Sequence, residues 1–212
     1  MPGTTSPRER YRAQVRAEVK EHAWAQIAEA GASALSLNAI AKAMGMSGPA
    51  LYRYFANRDE LITDLVTDAY GQLAAAFRAA VDEHGPDPAA LAHAMRGWAL
   101  AHPQRYFLIY GTPIPGYHAP PSTTAIAAEL MTMLLDALRD HPPGPATAFD
   151  AHLDEHRAWT DDPAPAGTLH RALGLWARLH GVISLEIAGH FTDMGFDTTL
   201  FFEAELDAML GR

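Results

Sequence analysis

Between Ser36 and Phe55 two short segments of helical period meet at one glycine. In the first, Leu37, Ile40, Ala41 and Met44 recur at i, i+3, i+4 and i+7, which is one face of an α-helix. Gly45 ends it, at a backbone angle that other residues adopt at a cost and glycine does not. Ser47 caps the second segment, expected to run from Gly48 to Phe55. Ile40, Met44, Met46, Leu51 and Phe55 should lock this pair against a preceding helix. The rest of the chain keeps the same period. Apolar spacings of three and four recur throughout and alternating strand patterns are scarce, so the chain is expected to be all-α.

The punctuation sets the element order. Ser6 and Pro7 start a first helix that buries Val15, Val19, Ala23 and Ile27 and stops at Gly31. Asn57 and Glu60 form a capping box that opens a long helix ending at His84, before Gly85-Pro86. At ~1.5 Å per residue it is about 40 Å long, enough to join two domains. Further helices are expected from Asp87-Pro88 to His102-Pro103, from Gln104 to Tyr110, and from Ser122 to His141. Four prolines between 113 and 121 make a stiff loop between the last two. Residues 142–167, rich in Pro, Asp and Ala, read as a mobile connection holding one short helix. Helices over 168–191 and 198–210 close the chain. The expected architecture is a three-helix helix-turn-helix domain over 7–69, joined by the long helix to a helical bundle over 70–212.

Charge is divided unevenly between these parts. Residues 1–65 hold eight Lys/Arg against seven Asp/Glu, a net of +1, and residues 66–212 hold eight against eighteen, a net of −10. Only the first third is suited to approach phosphates. Cysteine is absent, which excludes disulfides and thiolate zinc sites. Met1 to Ser6 lack the basic and apolar runs of a secretory signal, and no stretch has the ~18 unbroken apolar residues of a membrane helix. A soluble, cytoplasmic protein is expected.

The second helix of the pair starts with small residues, Ser47, Gly48, Pro49 and Ala50, which would let its N-terminus sink into a major groove. Tyr52, Arg53 and Tyr54 follow with hydroxyls and a guanidinium for phosphates or bases. Ser36 opens the first helix, and Lys42 and Arg58 lie on flanking helices where they could grip the DNA backbone. From spacing alone, a plain helical hairpin inside a bundle fits these residues equally well.

The stretch from about Tyr11 to Ala69 resembles the DNA-binding domain of the tetracycline-repressor (TetR) family. The resemblance is carried by Ile40-Ala41, Met44-Gly45-Met46-Ser47, Leu51-Tyr52-Arg53-Tyr54-Phe55 and Arg58-Asp59-Glu60-Leu61. It implies that Ser47–Tyr54 is the recognition helix and that Tyr52 and Arg58 contact phosphates, with Arg58 in place of the commoner lysine. Trp176-Ala177-Arg178-Leu179-His180-Gly181 is similar to the regulatory domain of a TetR subgroup marked by Trp-x-x-x-His-Gly, as is the region from His102-Pro103-Gln104 to Tyr117-His118-Ala119-Pro120. That likeness implies a ligand pocket and dimerisation through the last helices.

The C-terminal residues themselves admit more than one reading. Trp98, Tyr106, Tyr110, Met131, Leu134 and Trp176 could line an apolar pocket or simply be core, and His180 could touch a ligand or be a hydrogen-bonded core histidine. On the helix near 168–191, Ala177, Gly181, Ser184 and Ala188 form a stripe of small residues, with Arg171, Arg178 and Glu186 on the far side. With Phe201, Phe202 and Leu206 of the last helix, that stripe is expected to meet a second copy of the chain. His152 and His156 have the i, i+4 spacing of metal ligands, but the position after His152 is Leu153, not the glutamate of a metalloprotease, and a solvated polar segment is the simpler reading.

No catalytic residue, metal or cofactor is assigned. The expectation is a homodimeric transcription regulator, a repressor that a small-molecule effector releases from double-stranded operator DNA, with no membrane partner. The alternatives are a small helical enzyme with a His-carboxylate metal site, or a DNA-bound structural protein without a ligand.

Overall fold

The computed structural model describes residues 6–142 and 144–212, so Met1–Thr5, read above as lacking a signal, and Pro143 lie outside it. Among the described residues there are ten α-helices and no strand: α1 Pro7–Ala30, α2 Leu37–Ala43, α3 Gly48–Leu51, α4 Arg58–His84, α5 Pro88–Ala101, α6 Pro103–Tyr110, α7 Pro121–Leu138, α8 Ala148–Glu155, α9 Ala166–Ile187 and α10 Thr198–Leu210. The chain divides into two compact units. One comprises residues 1–69 with 104–123, the other 70–103 with 124–212.

In the first unit α1 begins as its sequence dictates. Ser6 Oγ accepts the Glu9 amide at 3.2 Å and Glu9 accepts the Ser6 amide at 2.7 Å, a closed capping box that satisfies two otherwise orphaned donors. Val15, Val19, Ala23 and Ile27 are its buried residues, in steps of four. Ile40, Leu51, Phe55, Leu61, Ile62 and Leu65 of the same unit are fully buried. Burying a side chain of that size stabilises by about 1.5–3 kcal/mol. Met44 and Met46 are only half-buried, less central than their spacing suggests. Gly45 has φ +66°, the left-handed conformation expected at the turn.

Several boundaries differ from the sequence reading, among them α9, which spans Ala166–Ile187 rather than 168–191. A 3-10 turn, Ala32–Ala34, lies between α1 and α2. The α3 helix ends at Leu51, and residues 52–54 continue as a turn rather than helix to Phe55. The α7 helix ends at Leu138, short of His141.

The second unit packs α5 and α10 onto α9, with α8 against the start of α9. Among the described residues an ion pair lies in its interior. Arg96 on α5 grips Glu186 on α9 with two bonds of 2.9 and 2.7 Å and also donates to Thr199 Oγ1 at 3.1 Å. Arg96 and Glu186 side chains are 12% and 9% exposed. The guanidinium lies 5.0 Å from the Phe202 ring centre, so α10 closes over the pair. Glu186, expected on the polar far side of its helix, is therefore a structural staple. The Arg96 hydrogen bond holds its carboxyl below the ordinary range against the opposing effect of burial. Among the described residues no helix is long and apolar enough to cross a membrane.

Candidate nucleic-acid interface

The helix-turn-helix presents its exposed side chains in a short arc. Ser47, Pro49, Tyr52 and Arg53 are exposed, whereas Gly48 and Ala50 are half-buried. Tyr52 is 45% exposed. A Cβ at Gly48 would stand 3.5 Å from Asn38 Oδ1, ordinary contact, so glycine is not sterically required there by the fold itself. Lys42, at the end of α2, is exposed. Neither the Lys42 nor the Arg53 side chain has an ion pair or hydrogen bond among the described residues, which leaves both charges available to an anion. Ser36 is half-buried; its hydroxyl accepts the Ala39 amide at 3.3 Å and caps α2, and its own amide donates to Gln26.

The neighbouring cations are engaged internally. Arg16 bonds Asp64 at 2.6 Å, Glu60 at 3.2 Å and the carbonyl of Tyr54. Lys20 pairs with Asp68 at 2.6 Å. These contacts fix α1 to α4 and hold the recognition turn from behind. Glu60 accepts the Ala56 amide at 2.7 Å, one residue before the Asn57 partner of an ideal capping box, while Asn57 Oδ1 accepts the Glu60 amide at 2.8 Å. The Ala56 amide, with Arg16 and Arg12 beside it, holds Glu60 below the ordinary carboxylate range despite partial burial.

Two expected DNA contacts are placed differently. Tyr54 is half-buried, with the Arg12 guanidinium 5.6 Å from its ring centre, so it faces α1 more than solvent. Arg58 turns back onto the α1–α2 connection. Its Nη2 donates to the carbonyls of Ala32 and Ser33 at 2.9 and 3.2 Å, and its Nε to Leu35 at 3.2 Å. The physical reason is local. That connection ends a helix with unsatisfied carbonyls, and a five-donor fork can satisfy several at once. Arg58 is thus a clamp that sets α2 against the start of α4. The sequence reading missed Arg12, whose stacking on Tyr54 brings a cation of α1 to the recognition turn. The signal was the run Arg8, Arg10, Arg12 on exposed α1.

The candidate ligand residues divide between the units. Tyr106 and Tyr110 belong to the first, with rings 5.4 Å apart and Tyr106 1% exposed. Trp98, Met131, Leu134, Trp176 and His180 belong to the second. Leu134, 2% exposed, is core. Trp98 Nε1 is buried and has no hydrogen-bond partner among the described residues. Met131 and Trp176 both line a cleft of about 610 Å³. Trp176 and His180 meet edge to face at 4.5 Å, and burial pushes the His180 pKa down to about 4, leaving the ring neutral.

The candidate dimer residues also separate. Ala177, Gly181 and Ala188 are exposed, Ser184 is half-buried, and nothing stands within 4 Å of a Cβ at Gly181. Phe202 and Leu206, 1% and 2% exposed, are buried by their own chain and cannot face a second copy. Phe201 is half-buried, in a cluster with Phe191 and Phe196. His152 and His156 stack at 4.0 Å at the end of α8, and among the described residues no three His, Cys, Asp or Glu gather as metal ligands.

Comparison with known proteins agrees with this geometry. Residues 21–65 match the family of bacterial regulatory proteins, tetR family, and residues 88–209 match the tetracyclin repressor-like C-terminal domain. The HTH-type transcriptional regulator Rv1816 of Mycobacterium tuberculosis is 36% identical, over 92% of this chain and 90% of its own. The regulator Mb1846 of Mycobacterium bovis matches to the same extent. Among solved structures, the regulatory protein SCO4313 is 65% identical with a TM-score of 0.90, covering 98% of this chain and all of that one. The TetR family transcriptional regulator PfmR of Thermus thermophilus shares the fold at 19% identity and a TM-score of 0.58, over 91% of this chain and 96% of its own.

Proposed function

The chain belongs to the tetR family and is a DNA-binding transcriptional regulator, and from that premise we propose that it is a repressor acting in the cytoplasm as a homodimer that a small molecule releases from its operator. The observation that carries the DNA reading is the arc of Ser47, Pro49, Tyr52, Arg53 and Lys42, exposed beside a turn braced by Arg16. Its cations are uncommitted while those behind it are paired, so phosphate attraction has one direction from which to act.

Dimerisation is supported by what the second unit leaves open. Ala177 and Gly181 on α9 and Ala188 at its C-cap are exposed small residues, and Leu185, Met194, Phe196 and Leu200 are 42–69% exposed. Exposed apolar surface of this kind calls for a partner. In a two-fold dimer the recognition helices would enter successive major grooves about 34 Å apart. A ligand favouring another separation would shift the population off DNA. We place the chain in the Trp-x-x-x-His-Gly subgroup on the Trp176–His180 contact and the open Gly181 that follows it.

A band-shift series with DNA flanking the protein's own coding region tests the reading. A specific shift that weakens steeply with salt, and is lost in Arg53→Ala with Lys42→Ala, is the expected result. Unchanged binding in the double variant would remove this arc from the interface.

A further inference from the structure

The cleft of about 610 Å³ lies wholly within the second unit, between α7, the turn after α8, and α9. That volume is in the range of small-molecule sites. Met131, Leu173 and Trp176 give it an apolar wall, and Trp159, 43% exposed, stands among its lining residues. Its charged lining consists of Asp161 and Asp162, and no lysine, arginine or histidine lines it.

The charges around the cleft do not cancel. Arg139 is shared between Asp136 at 2.8 Å and Asp162 at 3.0 Å, so that trio keeps one negative charge. Asp161 has no ion pair among the described residues and adds another. Arg157, the next cation along the chain, does not line the cleft; it reaches the rim at the Asp162 carbonyl with its charge offset by Asp154. Its Nη1 bonds Asp154 at 3.2 Å, and its Nη2 donates to the carbonyl of Asp162 at 2.9 Å and to that of Ala164. The turn carrying Trp159 and Asp161 is itself built: Thr160 Oγ1 accepts the Asp162 amide at 3.1 Å, and Asp162 Oδ1 accepts the Ala164 amide at 2.8 Å.

We propose that this cleft binds a lipophilic monocation, an aromatic or aliphatic group bearing one positive charge. The inference rests on the reading of the second unit as ligand-sensing, and names the ligand's class. Indole faces attract a cation through their quadrupole and bury its apolar groups. The unpaired carboxylate of Asp161, with the net negative charge left on the Asp136–Arg139–Asp162 trio, attracts the same charge and repels an anion of equal shape. A neutral molecule would use only the wall.

The test uses two probes of matched shape and opposite charge, tetraphenylphosphonium and tetraphenylborate, titrated calorimetrically into the full chain. The cation should bind at least about tenfold more tightly. Asp161→Asn should weaken the cation several-fold and strengthen the borate, while Trp159→Ala should weaken both. Equal binding of the two ions, or a preference that survives Asp161→Asn unchanged, overturns the proposal. DNA release is read separately by band shift. Cation binding with this pattern but an undisturbed DNA complex upholds the site and removes the release mechanism. Release by other compounds, with no preference for the cation, upholds the mechanism and overturns the site.

Discussion

Both units carry surface ion pairs, but among the described residues they differ in the charge pair they bury and in the apolar surface they expose. In the first, ion pairs such as Arg16 with Asp64 and Lys20 with Asp68 lie near the surface, and the large apolar residues exposed are Tyr11, Tyr52 and Phe107. In the second, the Arg96–Glu186 pair is inside, while Leu100, Leu185, Met194 and Leu200 are exposed with Phe149, Trp159 and Phe196. The first unit is a finished globule with a polar contact face. The second has surface that a fold of its own does not need, and such surface is what a partner copy and a ligand use. The difference separates recognition of a charged polymer from recognition of apolar bodies.

The largest expected effect comes from the interior of the second unit. Arg96→Ala leaves Glu186 buried without its partner, and breaking such a pair costs on the order of 3 kcal/mol. Urea unfolding should show the loss, and Arg96→Met with Glu186→Leu should recover most of it. A stable Arg96→Ala protein would mean that the pair does not hold α5 to α9. In the first unit, Arg58→Ala removes three hydrogen bonds from a charged donor to backbone carbonyls, worth about 2 kcal/mol together at a half-exposed site. The clamp role implies lower stability with an unchanged salt slope of DNA binding. A slope reduced by about one ion would instead make Arg58 a phosphate contact.

Gly181→Leu sharpens the contrast at the surface. The space above Gly181 is open in the single chain, so the variant should fold normally. If the Gly181 face meets a second copy, four added carbons should weaken the dimer by about 1–3 kcal/mol per subunit, read by sedimentation. Undiminished dimerisation would move the interface away from α9. At neutral pH the smallest effect is expected from His180, whose contribution is read only as pH falls. Its pKa of about 4 lies below the ordinary histidine value, so the unfolded chain takes up the proton first. Stability contributed by neutral His180 is present above about pH 6.5 and is lost as pH falls toward 4. His180→Phe should flatten the decline in thermal stability between about pH 6.5 and 5 relative to wild type, and parallel curves would count against a buried neutral ring.

Legibility in the sequence follows the same division. Local signals located the caps and the turn of the first unit, but not that residues 104–123 join it. Ser6 and Glu9, Asn57 and Glu60, and Gly45 act within a few residues of where they stand, and the four buried positions of α1 follow from its period. What the sequence hid was long-range. Arg58 reaches 23 to 26 residues back to its carbonyls, and Arg96 reaches 90 residues forward to Glu186. The same blindness misplaced Phe202 and Leu206, because periodicity tells that a face is apolar without telling what covers it. The cleft residues Trp159 and Asp161 sit in a turn without period, which left them unmarked.

The central claim is that a dimer reads DNA through the arc from Ser47 to Arg53. Selection of binding sequences from random duplexes, by wild-type protein and by Arg53→Ala in parallel, tests it most directly. The expected result is an inverted repeat with half-site centres about one helical turn apart, roughly 10 base pairs, enriched by wild type and not by Arg53→Ala. Enrichment of a single unrepeated site, or of the same repeat by both proteins, would contradict it.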